Sequence, residues 1–176
     1  MDIILYIDCD GVIYNTIEIA FKLMNELQID RKDSKIVDDF FRNIDWQNLM
    51  NQSEIINNSI NKIKLLQDSN LYKDIIILTK LNGNYYEEKV KRDTFDILLP
   101  KIKVLTLPLS YSKASIVNAK NNILVDDELR NIKLWNNAGG IGIQFIKDTI
   151  DFDHNIINDL SDIEKTSGVK ILRKTR

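Results

Sequence analysis

Cysteine and histidine are almost missing from this chain: Cys9 and His154 are the single representatives among 176 residues. One cysteine excludes an internal disulfide framework and points to a reducing, cytoplasmic setting. One histidine leaves little from which to build a histidine metal centre or a histidine triad. Cys9 reads as a small buried strand residue and His154 as a solvated one in an acidic loop. No apolar run approaches the roughly 20 residues that cross a bilayer. The opening, MDIILYIDCDG, has no basic n-region and reaches its acids too early for a signal peptide, so no membrane partner is expected. Excess charge is also missing. A net charge of −2 provides no general nucleic-acid footprint. Hydrophobic content of 44% and charged content of 28% are those of an ordinary globular domain.

What is present is concentrated at the start. Residues 3–11 read IILYIDCDG: an apolar run that stops in two carboxylates and a glycine. A short apolar run ended by a turn signal predicts a buried strand. Alternation along it points Asp8 and Asp10 the same way and Cys9 the other. Gly11 lets the chain leave through a conformation that a Cβ resists. Carboxylates this close repel, so one takes a proton or a cation joins them. Taken alone, the pair fits an acidic surface strand end equally well.

Helical spacing follows from Ile13 to Leu27, and a second apolar-aromatic stretch holds Phe40, Phe41, Ile44 and Trp46. A third helical pattern starts at Ser53, a plausible N-cap, and runs to Leu66. The next strand is DIIILT, Asp74 to Thr79. More than sixty residues therefore separate strands that one helix could connect. We assign residues 1–14 and 71–176 to an α/β core and residues 15–70 to a helical cap insertion; a thicker helical layer behind the sheet is the alternative. Asn84 and Glu87 predict a capping box for a helix that Pro100 ends. Lys101–Leu105, Asn122–Val125 and Ile141–Phe145 read as further strands, with helices at 110–120 and from Leu129 to Gly139-Gly140. The stretch from Ile156 to Lys165 reads as helical, and the basic end, Lys170 to Arg176, as a frayed tail. Alternating elements predict a doubly wound, parallel, five-stranded Rossmann-like α/β sheet. Its strand carboxyl ends share one edge, where such sheets bind ligands.

That edge collects Asp8 and Asp10 from the first strand, Thr79 from the second, and Asp126 and Asp127 from the fourth. Lys113 opens the short helix before the fourth. A cation at a helix N-terminus costs about 0.3–1 kcal/mol, tolerable if it faces the acids or an anion. Oxygen ligands without histidine favour Mg²⁺ over zinc: Asp8 and Asp126 through side chains, Asp10 through its carbonyl, and Asp127 directly, through water or by holding another ligand. The Thr79 hydroxyl and the loop beginning at Lys80 could hold phosphate oxygens together with Lys113. A carboxylate nucleophile gives an aspartyl-phosphate, and its neighbour can serve as acid and then base. Asp8 suits the first role and Asp10 the second. Crowded negative charge is expected to raise the Asp10 pKa.

This ordered set resembles the haloacid dehalogenase-type phosphohydrolases. Asp8-Cys9-Asp10-Gly11-Val12 is similar to the family's DxDGV motif, Thr79 in IIILT to its second, Lys113 to its third, and ILVDD with Asp126 and Asp127 to its fourth. The resemblance implies Asp8 as nucleophile, Asp10 as acid/base and Mg²⁺ as cofactor, with a small phosphorylated substrate. The cap position and the stretch LVDDELRNIKLWNNAGGIGIQF resemble the 5′(3′)-deoxyribonucleotidases, which implies a nucleoside monophosphate. Phe21, Phe41 and Trp46 are then candidates for stacking on its base, against plain core.

Three other readings share these residues. One is a phosphatase for another small metabolite or a nucleic-acid 3′-phosphate. Another is a phosphoacceptor signalling domain, against which the order counts: Lys113 precedes Asp126, and the third strand end carries no acid. The last is an inactive binding module, although no core motif is missing.

Overall fold

The computed structural model describes residues 2–148 and 155–174, so His154 and the last two residues of the basic end lie outside the described residues. Strands β1 (Ile4–Ile7), β2 (Asp74–Leu81), β3 (Lys103–Pro108), β4 (Ile123–Asp126), β5 (Ile141–Phe145) and β6 (Ile156–Ile157) form one parallel sheet, ordered β3-β2-β1-β4-β5-β6. The expected doubly wound α/β sheet is present with six strands, one more than the pattern predicts. Two residues are too few to show periodicity, so β6 leaves no signature.

The sheet is apolar on both faces because its strands alternate between two cores. Leu5, Ile7, Ile75, Ile77, Ile123 and Val125 enter one core, whereas Tyr6, Ile76, Leu78 and Leu124 enter the other. Burying each such side chain stabilises the fold by about 1.5–3 kcal/mol. The larger core is covered by residues of helices α1 (Thr16–Glu26), α3 (Trp46–Gln52), α4 (Ser59–Asp68), α5 (Tyr85–Leu98) and α8 (Ser167–Lys174). The smaller is covered by Ile132 and Trp135 of α7 (Leu129–Asn137), with Ala114 of α6 (Lys113–Ile116) packed against it.

Between β1 and β2 run α1, α2 (Ser34–Asn43), α3, a 3₁₀ turn (Ile56–Asn58) and α4. Asp33 and Asp45 cap α2 and α3 by accepting backbone N–H groups at Lys35 and Asn48. The helix expected from Ser53 begins at Ser59, because Asn57 and Asn58 hold left-handed φ values of 45° and 57°. Phe41, Trp46, Leu49 and Met50 of this segment join the same buried cluster as Ile3, Leu5 and Ile7.

The C-terminal end differs from expectation. Residues 156–165 form β6 and a 3₁₀ turn (Leu160–Lys165) in place of a helix, and the basic stretch expected to fray is α8, which buries Val169 and Leu172. Arg173 pairs with Glu164, which also accepts the Tyr72 hydroxyl. Lys62 of α4 pairs with Asp159. These contacts tie the last elements to the first crossover. Among the described residues, no helix is long and apolar enough to cross a membrane.

Candidate active site

All strand pairs are parallel, so the carboxyl ends of β1, β2 and β4 meet at one edge. There Lys113 Nζ lies 2.6 Å from Asp8 Oδ1 and 2.6 Å from Asp126 Oδ2. Lys113 and Asp126 are buried. Only one turn of helix follows Lys113, and its ammonium faces the acids, which offset the unfavourable helix end. The Asn131 side-chain amide donates to both Asp126 oxygens at 3.0 Å, and the Glu128 N–H donates to Asp126 Oδ1 at 2.9 Å. Asp126 is thereby fixed in orientation. Asp8 is held by charge: its Oδ1 lies against the Lys113 ammonium.

Asp10 is held separately. Thr16 donates to its Oδ1 at 2.6 Å, while Lys91 and Thr79 donate to its Oδ2 at 2.5 and 3.3 Å. Lys91 also pairs with Glu87 at 2.7 Å, and both side chains are fully buried. Its ammonium sits 5.0 Å from the Trp46 ring centroid, close enough for a cation–π contact. The predicted capping box is absent: Asn84 caps α5 by accepting the Tyr86 N–H, but Glu87 turns back to accept the Asn82 N–H at 2.7 Å. Sequence reasoning missed Thr16, Glu87, Lys91 and Asn131. A signal existed for two of them. Glu87 and Lys91 are spaced i, i+4 on the stripe that also carries Val90 and Phe95, so an ion pair lies on an apolar face.

Charge separates the two aspartates. Burial pushes the Asp8 carboxyl well up; Lys113 opposes this, and Asp126, Asp127 and Asp10 add to it. Burial and Asp126 push Asp127 up to about 7. Asp10 goes the other way from the expected rise. Burial opposes its ionisation, but the Lys91 ammonium and hydrogen bonds from Lys91, Thr16 and Thr79 outweigh it and lower the pKa. The correction comes chiefly from a buried cation whose meeting with Asp10 the sequence did not reveal.

Oxygens of Asp8, Asp126 and Asp127 lie within 4.8 Å of one another. Three carboxylates, with one lysine between two of them and no nitrogen or sulfur ligand among them, fit a hard dication such as Mg²⁺. Gly11 sets the spacing: its φ is +79°, and a Cβ there would stand 2.3 Å from Asp127 Oδ2. Gly11→Ala is expected to lower stability by at least about 1–2 kcal/mol from the left-handed backbone alone and to weaken metal binding by moving Asp127. Thermal melting and metal titration of the variant check both effects.

The acids open into a cavity of about 250 Å³ bounded also by Ile17, Lys80, Asn82 and Leu109. Lys80 donates to Asn131 Oδ1 at 2.8 Å and lies 3.6 Å from Glu128. The base-stacking residues are not there. Phe41 and Trp46 are 8% and 1% exposed and stack on each other, with ring centroids 6.2 Å apart. Phe21 borders a different groove, under Arg31. Phe41 and Trp46 serve packing, the alternative that the sequence left open, whereas Phe21 lies at the surface away from the acids.

No protein-family model and no curated protein matches the sequence. Solved structures do match in fold. YfnB of Bacillus subtilis, described as a HAD-hydrolase bound to magnesium, aligns with a TM-score of 0.63 at 16% identity, over 98% of this chain and 99% of that one. A family IA HAD hydrolase of Entamoeba histolytica aligns with a TM-score of 0.56 at 15% identity, over 98% and 100%. A 2-haloacid dehalogenase of Pseudomonas syringae aligns with a TM-score of 0.51 at 13% identity, over the full length of both chains. These neighbours share the haloacid dehalogenase-like fold, and this chain has it.

Proposed function

We propose that this chain, built on the haloacid dehalogenase-like fold, is a Mg²⁺-dependent phosphomonoester hydrolase that works through an aspartyl-phosphate on Asp8. The observation that carries the reading is the difference between its two strand-end acids. Asp8 shares a cation-sized space with Asp126 and Asp127, where the Lys113 ammonium meets its Oδ1. Asp10 beside it is gripped by donors. One is arranged to react and the other to move protons.

An Asp8 oxygen bonds to phosphorus as the ester oxygen leaves and takes a proton by way of Asp10. Water then attacks the aspartyl-phosphate. Asp10 accepts its proton, and the P–O bond to Asp8 breaks. Asp10 is ionised in the free site, the form that the second step needs. A phosphate ester with a second pKa near 6 can deliver the proton that the first step needs. Lys113 keeps Asp8 oriented and, with the loop from Lys80, faces the phosphate oxygens, whereas the Thr79 hydroxyl, expected there from the sequence, is buried and donates to Asp10 instead. Mg²⁺, held by Asp8, Asp126, Asp127 and the Asp10 carbonyl, supplies charge neutralisation between nucleophile and phosphate.

The substrate is a small phosphorylated metabolite in a cytoplasmic setting, and residues 15–70, inserted as a cap, choose it. A nucleoside monophosphate is the first candidate by resemblance. A second reading, a non-nucleotide metabolite, is favoured by the lining: among the described residues its apolar members are Ile17 and Leu109, and no aromatic ring borders the acids. A panel of nucleoside monophosphates, sugar phosphates and alkyl phosphates tests both. Equal rates on all would remove the nucleotide preference, and no phosphate release from any would end the hydrolase reading. EDTA is expected to cut turnover by at least about 100-fold. Restoring Mg²⁺ should recover it and raise the melting temperature by several degrees.

A further inference from the structure

Lys91 and Glu87 have no part in the scheme above, yet both are completely buried within reach of its chemistry. As an i, i+4 pair they already neutralise each other, and a buried pair by itself is weak support for stability. Lys91 also donates to Thr79 Oγ1 and to the Lys80 carbonyl, each at 3.3 Å, but its contact with Asp10 at 2.5 Å is the one that a purely structural pair would not need.

Asp10 is gripped from three elements: Thr16 of α1, Thr79 of β2 and Lys91 of α5. Both carboxylate oxygens are engaged, and the side chain still borders the cavity. A carboxylate beside a dication site, left free, turns to ligate the cation. One withheld from it stays available to a water molecule. Glu87 holds Lys91 from below and the Asn82 N–H from the side, and Trp46 covers the ammonium from the inserted segment.

We infer that Lys91, seated by Glu87 and covered by Trp46, is a positioning residue that withholds the Asp10 carboxylate from the metal and aims it at the water that hydrolyses the aspartyl-phosphate. The inference rests on the hydrolase reading. In the step concerned, the water oxygen bonds to phosphorus, its proton goes to Asp10, and the P–O bond to Asp8 breaks with its electron pair returning to the Asp8 carboxylate.

p-Nitrophenyl phosphate isolates that step, since p-nitrophenolate departs without protonation. In Lys91→Met the first turnover should stay within about threefold of wild type, while steady-state turnover falls on the order of 100-fold, the scale of a misplaced catalytic group. A burst of p-nitrophenolate approaching one per enzyme should result, with the accumulated acyl phosphate trapped by hydroxylamine. The double variant Lys91→Met/Glu87→Gln removes the stranded buried charge if the single variant folds poorly, and the same burst is expected. A proportionate loss of first and later turnovers without a burst, or no loss, in the folded variant overturns the inference while leaving an active wild type intact. A wild type that releases phosphate from no ester overturns the hydrolase reading and the inference with it.

Discussion

Asp8→Asn should abolish turnover, by about four orders of magnitude or more, the scale on which loss of a nucleophile is felt. The amide keeps the size of the carboxylate but cannot attack phosphorus, so no acyl phosphate should be trapped by hydroxylamine. The fold should survive. Burial and three neighbouring acids already disfavour the Asp8 charge, and a neutral side chain removes one repelling partner from the cluster. The melting temperature of the metal-free variant should equal or exceed that of wild type. Phosphate release and thermal melting, measured together, separate the two effects. Turnover within tenfold of wild type would remove Asp8 from the nucleophile role.

Lys113→Met should do the opposite to stability while also removing activity. Lys113 is the cation between Asp8 and Asp126 and is 2% exposed. Without it two buried carboxylates face each other, a loss of the kind that costs about 3–5 kcal/mol, or about 10 °C in melting temperature for a chain this size. Mg²⁺ should return part of that loss, so the deficit is largest in EDTA. Turnover should fall about 10³-fold, comparable to removing a preorganised donor from a developing charge. Lys113→Arg should not restore it, because a planar fork does not replace a point charge packed between two carboxylates. Unchanged melting in EDTA would mean that the ammonium is an ordinary surface charge.

The parts of the site that were legible in the sequence share one property: each is announced locally. An apolar run that stops in acids marks a strand end, so Asp8, Asp10, Asp126 and Asp127 could be placed before any fold was known. Thr79 and Lys113 follow from the same punctuation. Lys91 could not be placed that way. Its helix and its buried stripe were readable from Val90 and Phe95, but which strand end that stripe meets is settled only when α5 packs. The same gap inverted the expected Asp10 shift. Phe41 and Trp46 stayed open between two readings for a related reason: an aromatic ring between β1 and β2 looks the same in sequence whether it faces a ligand or, as here, another ring.

The strand order carries a consequence for how the chain is made. β1 is synthesised before the other five strands of its sheet, yet it lies inside the sheet, between β2 and β4. Its Ile4 pairs with Asp74, and its Leu5 with Ile123. Until those partners leave the ribosome, an apolar strand has both edges open and its terminal acids have no lysine beside them. Contacts so far apart in sequence make for slow folding. The waiting strand is also exposed to wrong pairing meanwhile.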